Sequence, residues 1–179
     1  IGDPCIYYES DPRHAQIVVA KMGLGKSNAK GVTTPGTKEA DTQDDRPLGG
    51  RAATEYRSGC MRVGYMAQGL PHLQYAANGA STCLANPTVG GNHRLKRIAR
   101  FLKSRPLCRQ YSRSHRRPEE LTVQVGSDFA GDLDSRKISS AVFLLHGRHL
   151  LRVSSAAQHF MSLISGNAEF GALVKEAGI

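Results

Sequence analysis

The apolar residues of this chain change their spacing once, and that change limits what the chain can fold into. As far as Lys103 they recur three and four residues apart; from Leu121 they fall into short strand-like runs, the first of them alternating. The first spacing lines one face of a helix, the second one face of a strand. Helices followed by strands predict an α+β protein, not an alternating α/β one.

The helical part reads in pieces. Asp11 followed by Pro12 is a helix start, an N-cap with proline at the first helical position. Ile17, Val18, Met22 and Leu24 then form a stripe, which Gly23 and Gly25 close. "GLGKS" (Gly23 to Ser27) resembles the end of a phosphate-binding loop. That loop needs glycine where Ala20 stands and a strand before it, so the match is rejected. Residues 27–54, rich in Gly, Pro, Thr and Asp, read as an exposed connector. Helical spacing resumes at Glu55 with Tyr56, Gly59, Cys60, Val63, Tyr65 and Met66. It continues after Pro71 with Leu73, Tyr75, Ala76, Ala77 and Ala80. A third run from Asn92 to Lys103 puts Leu95, Ile98 and Leu102 on one side and Lys96, Arg100 and Lys103 on the other.

Charge narrows the partners. The chain carries a formal +9, and from Arg94 to Arg117 there are ten Lys or Arg in 24 residues with no acid. Each phosphate neutralised by such a stretch releases condensed counterions, so nucleic acid is the expected partner. Arg94, Lys96, Arg97, Arg100, Lys103 and Arg105 are the candidate contacts, and a merely solvated basic face is the alternative. No run approaches the roughly 18 apolar residues of a membrane span. Cys5, Cys60, Cys83 and Cys108 form no close pair, which predicts reduced thiols in an intracellular protein rather than a zinc site. His146 and His149 flank a hairpin turn and read as a surface pair.

Beyond a basic linker at 105–120, "LTVQV" (Leu121 to Val125), "SSAVFLL" (Ser139 to Leu145) and "HLLRV" (His149 to Val153) predict three strands. Gly147-Arg148 suits a two-residue hairpin loop. A last helix from about Asn167 would set Phe170, Leu173, Val174 and Ala177 on one face, with Glu169 in its first turn. Asp128, Asp132 and Asp134 crowd behind the first strand. Clustered carboxylates persist where a cation offsets their repulsion, or simply in a polar turn.

Several of these stretches together resemble a known family. "SDFAGDLDSRK" followed by "GNAEFGALVKEA" is similar to the opening half of the ribonuclease H domain in Pol polyproteins of copia-type LTR retrotransposons. "EYRSGC", "LPHLQYAANG", "NPT" and "RLKRIARFLKSRP" resemble, in order, the end of the reverse transcriptase of the same polyproteins. "DPRHAQIVVAKMGL" and "GVTTPGTK" resemble the stretch just before it. The resemblance implies four segments: residues 1–54 as the end of reverse transcriptase and its connector, 55–104 as a helical thumb- or connection-like region, 105–120 as the linker, and 121–179 as the first half of a ribonuclease H-like fold, three antiparallel strands and then a helix.

It also implies chemistry. Ribonuclease H-type sites hold two divalent cations, naturally magnesium, astride the scissile phosphate. The first strand carboxylate carries over to Asp128 and the helix carboxylate to Glu169, as catalytic groups and metal ligands. Asp132 and Asp134 match loop acids of the turn. The expected partners are an RNA–DNA hybrid and the remainder of the Pol polyprotein, in a cytoplasmic virus-like particle or the nucleus. Departures limit the carry-over. His72 stands where aspartate is usual, Leu70 replaces arginine, Asn167 replaces the first glutamate of the helix motif, and Gly126 and Gly171 replace aromatics. The polymerase's Tyr-x-Asp-Asp motif and the later nuclease aspartates are missing from the sequence. The chain therefore reads as a fragment, inactive alone; the alternative is a non-catalytic basic nucleic-acid-binding module or a degenerate transposon relic.

Overall fold

The computed structural model describes residues 5–25, 28–36, 44–116, 118–128, 138–158 and 164–177. Their order is β1 (Cys5–Glu9), α1 (Pro12–Lys21), α2 (Gly50–Gly69), a 3-10 turn (Pro71–Leu73), α3 (Gln74–Ser81), α4 (Val89–Ser104), β2 (Arg109–Arg113), β3 (Leu121–Asp128), β4 (Ser139–His146), β5 (His149–Ala157) and α5 (Ser165–Ala177). This is a mixed α+β chain, in which β1 pairs with β2 and β3, β4 and β5 form a three-stranded sheet in that order. It divides into two units, Tyr7–Gln110 and Tyr111–Ile179 with Ile1–Ile6. The predicted linker thus contains a strand, β2.

The helical unit contains the helices its spacing predicts, although Ile17, Tyr65 and Tyr75, read into their apolar stripes, are exposed. The Asp11 carboxylate accepts from the Arg13 amide at 2.9 Å, Pro12 opens α1, and Gly23 at φ 70 follows its end. The guanidinium of Arg13, bonded to the same exposed carboxylate, pulls Asp11 down to about 2. Leu95, Ile98 and Leu102 of α4 are buried against Val18, Tyr56, Val63, Leu70 and Leu73 in one core. Two side chains of α2 bond to backbone carbonyls of α3 and the segment after it. The Tyr56 hydroxyl donates to the Ala80 carbonyl, and Arg57 donates to the carbonyls of Leu84 and Ala85.

Two details differ from the expectation. α2 begins at Gly50, not Glu55, on a glycine with φ 32 that no side chain caps. A Gly-Gly start looks like loop, which is why sequence places it later. The connector is also anchored where it is described. Leu48 packs on the core, the Leu48 amide donates to Pro87 O at 2.8 Å, and Val89 N donates to Arg46 O at 2.9 Å. Residues 1–54 and 55–104 accordingly contribute to a single core, Ala15, Val18 and Leu24 joining Tyr56 and Leu95.

α2 and α4 approach so closely that a Cβ on Gly91 would lie 2.9 Å from Tyr56 Oη and 3.1 Å from Cys83 Cβ. The Tyr56 hydroxyl is held by its own hydrogen bond and cannot simply swing away. Gly91→Ala should therefore cost about 1–3 kcal/mol of overpacking. A urea melt followed by circular dichroism checks this; an unchanged midpoint would mean the crossing is looser than described.

In the sheet unit, β3 pairs antiparallel with β4 from Leu121↔His146 to Asp128↔Ser139, and β4 with β5. Gly147 at φ 61 makes the two-residue turn that its position predicts. α5 packs on β3 and β4. The face it uses is a correction: Ala168 and Ala172 are buried, whereas Phe170 is 67% and Leu173 47% exposed. On β4, Ser140 and Val142 are the buried residues, with Ser127 and Val125 opposite them on β3. Gln158 fastens the contact, donating to Ser140 Oγ and Ala168 O at 2.7 Å each.

Candidate nucleic-acid interface and carboxylate pair

α4 is fixed at both ends. Thr88 caps it, its hydroxyl accepting from Gly91 N at 3.1 Å, and Arg105 N donates back to Phe101 O at 2.9 Å. With its apolar stripe buried, the opposite side is committed to solvent. That side carries His93, Lys96 and Arg100, all exposed, and the exposed Arg105 follows. Lys96 and Arg100 stand one turn apart, about 6 Å along the axis. No acid occurs in the helix to neutralise them.

The six candidate residues separate into two groups. Arg94 reaches Gly79 O at 3.4 Å, Arg97 reaches Thr34 Oγ1 at 3.0 Å, and Lys103 reaches Leu24 O at 3.0 Å. These three tie α4 to α3, to the 28–36 segment and to the end of α1. Lys96, Arg100 and Arg105 make no side-chain hydrogen bond or ion pair among the described residues, and so are the ones presented to a ligand. Charge density alone cannot make this distinction, because the tethering acceptors lie up to 79 residues away in sequence.

His72, where the family resemblance expects aspartate, stands edge-on to Phe101 with centroids 5.3 Å apart. Burial and the nearby Arg105 charge lower its pKa. A neutral imidazole adds no negative charge beside the basic surface, whereas an aspartate would.

In the other unit, Asp128 occupies the last pair of the β3–β4 ladder, opposite Ser139. Its side chain lies outside the described residues, as do Asp132 and Asp134. Glu169 is exposed on α5, next to the buried Ala168. Because α5 starts at Ser165, Glu169 is its fifth residue and lies past the first turn. The structure thus packs the two elements that carry Asp128 and Glu169. Carboxylate oxygens suit magnesium, which takes one or two of them together with water and substrate phosphate. Among the described residues no group of three or more His, Cys, Asp or Glu is arranged to hold a metal ion. No described helix is long and apolar enough to cross a membrane. No family model, curated protein or solved structure matches the chain.

Proposed function

We propose that the chain is a segment of a copia-type retrotransposon Pol polyprotein that holds an RNA–DNA hybrid by its phosphates. The observation that carries this reading is the acid-free solvent face of α4, where Lys96 and Arg100 are exposed with no side-chain partner among the described residues and Arg105 follows. A three-stranded meander followed by a helix, in the order the resemblance implies, supports it from the second unit. Contacts to phosphates position a duplex without reading its sequence, so the surface should accept hybrids of any composition. The remainder of the polyprotein and a virus-like particle or nuclear setting belong to this reading.

Magnesium enters it through Asp128 and Glu169, which would hold one ion and supply negative charge against it. The bound ion would activate water and stabilise the departing oxygen. Two carboxylates fall short of a two-metal site, and Asn167 removes a third candidate from α5. The chain alone is therefore expected to bind a hybrid without cutting it.

A labelled RNA–DNA hybrid titrated over a salt series, then incubated with magnesium, tests both parts. The expected results are log affinity falling linearly with log salt and intact RNA on a gel. A flat salt response defeats the binding claim. Steady cleavage that disappears in Asp128→Asn defeats the claim of inactivity and assigns the chemistry to this chain after all.

A further inference from the structure

The hairpin end of the sheet carries a second cluster that the α4 surface does not explain. His149 Nε2 donates to Arg113 O at 2.7 Å, and His115 Nδ1 donates to Arg116 O at 2.7 Å. The two imidazoles lie against each other with centroids 4.2 Å apart, tilted by 57°. His146 Nε2 donates to Pro118 O at 3.1 Å, so both sides of the β4–β5 turn are bonded to the end of β2 and the segment after it. The turn closes on the same segment: a Cβ on Gly147 would lie 2.8 Å from Pro118 Cγ and 2.9 Å from His115 Cε1. Arg148, next in that turn, is exposed, as are Arg113 and Arg116. The Arg113 guanidinium stands 5.5 Å from the centroid of the Tyr111 ring, which is 46% exposed.

Rings and cations therefore alternate across one small surface. One nitrogen of each imidazole is bonded to a backbone carbonyl, so the half-buried pair is held in place and the exposed ring of this cluster is that of Tyr111. The exposed Arg113, Arg116 and Arg148 belong to the same chain segments as these rings, and the acids nearest in sequence are Glu119 and Glu120, beyond Pro118. A duplex hides its base planes in its own stack and has no use for exposed rings. A single strand exposes both its planes and its phosphates, which is what aromatic faces set among arginines bind.

We propose that Tyr111, with Arg113, Arg116 and Arg148 around the His115–His149 pair, binds unpaired nucleotides by stacking and phosphate contact. This surface is distinct from α4 and does not depend on the hybrid-binding reading. The test uses the full chain, a fluorescein-labelled oligothymidylate that cannot self-pair, and a blunt DNA duplex of the same length. Tyr111→Leu should weaken oligothymidylate binding about 5- to 150-fold, the loss of one base stack, while Tyr111→Phe keeps it and duplex affinity stays unchanged. The chain has no tryptophan. Tyr111→Trp therefore introduces a single emitter, which the oligothymidylate should quench and the duplex should not. A chain with Lys96, Arg100 and Arg105 neutralised should show the same quenching. Unchanged single-strand affinity in Tyr111→Leu, an equal loss for duplex, or no quenching in Tyr111→Trp overturns the proposal.

Discussion

Replacing Tyr56 with alanine is expected to cost the helical unit about 3–5 kcal/mol, the usual effect of deleting a buried aromatic. Tyr56 is 0% exposed, and its ring lies in the same core as Val63, Leu95 and Ile98. Its hydroxyl donates to Ala80 O, and burial holds the phenol firmly protonated, its pKa raised. The alanine variant loses the packing and also leaves that carbonyl only the weaker Cys60 thiol as donor, at 3.8 Å. Tyr56→Phe removes the hydroxyl alone and should cost about 1 kcal/mol. Domains are stable by only about 5–15 kcal/mol, so the alanine chain should populate its unfolded state on the order of a hundredfold or more above the native chain. Cys60, one turn along α2, reports the outcome chemically. It is 2% exposed, and burial pushes its thiol up to about 11. At pH 8 little thiolate is available to iodoacetamide, so native Cys60 should resist alkylation and the Tyr56→Ala chain should take it up. Mass spectrometry of the digested protein distinguishes the two. If native Cys60 labelled as fast as it does in urea, the described core would be wrong.

This core was legible in the sequence because helical spacing and large apolar residues coincide there. Leu95, Ile98 and Leu102 were expected on the inner side of α4 and are buried. The Asp11-Pro12 start and the Gly147-Arg148 turn were legible for a related reason, since each rests on a local backbone preference that needs no tertiary partner. α5 was misread where those conditions fail. Its largest apolar residues, Phe170 and Leu173, are exposed, and Ala168 and Ala172 are buried because of what lies beneath them on β3 and β4. The same limit applied to the basic residues. That Arg97 reaches Thr34 and Lys103 reaches Leu24 depends on contacts across the fold, 63 and 79 residues apart. Asp128 and Glu169 were singled out by the family resemblance, and the packing of α5 on β3 is a tertiary fact that no spacing contains.

Neutralising Lys96, Arg100 and Arg105 together to glutamine should remove most of the affinity for a duplex or hybrid while leaving the fold intact. Each is exposed, and none makes a side-chain hydrogen bond or ion pair among the described residues. Each cation that meets a phosphate contributes about 0.9 to the slope of log affinity against log salt on a B-form duplex. Three contacts thus amount to about 2.7 in slope, and at 0.1 M salt to a loss of about 500-fold relative to the 1 M reference. The contrasting variant neutralises Arg94, Arg97 and Lys103. These side chains already reach Gly79, Thr34 and Leu24, so their removal should lower the urea midpoint and flatten the slope far less. Fluorescence anisotropy across a salt series, with a urea melt of each chain beside it, measures both quantities on one protein stock. If the two triple variants flattened the slope equally with equal stability, binding would follow total charge and no particular face of α4. If neither did, nucleic acid would not be held by this helix, and its basic side would be a solvated surface only.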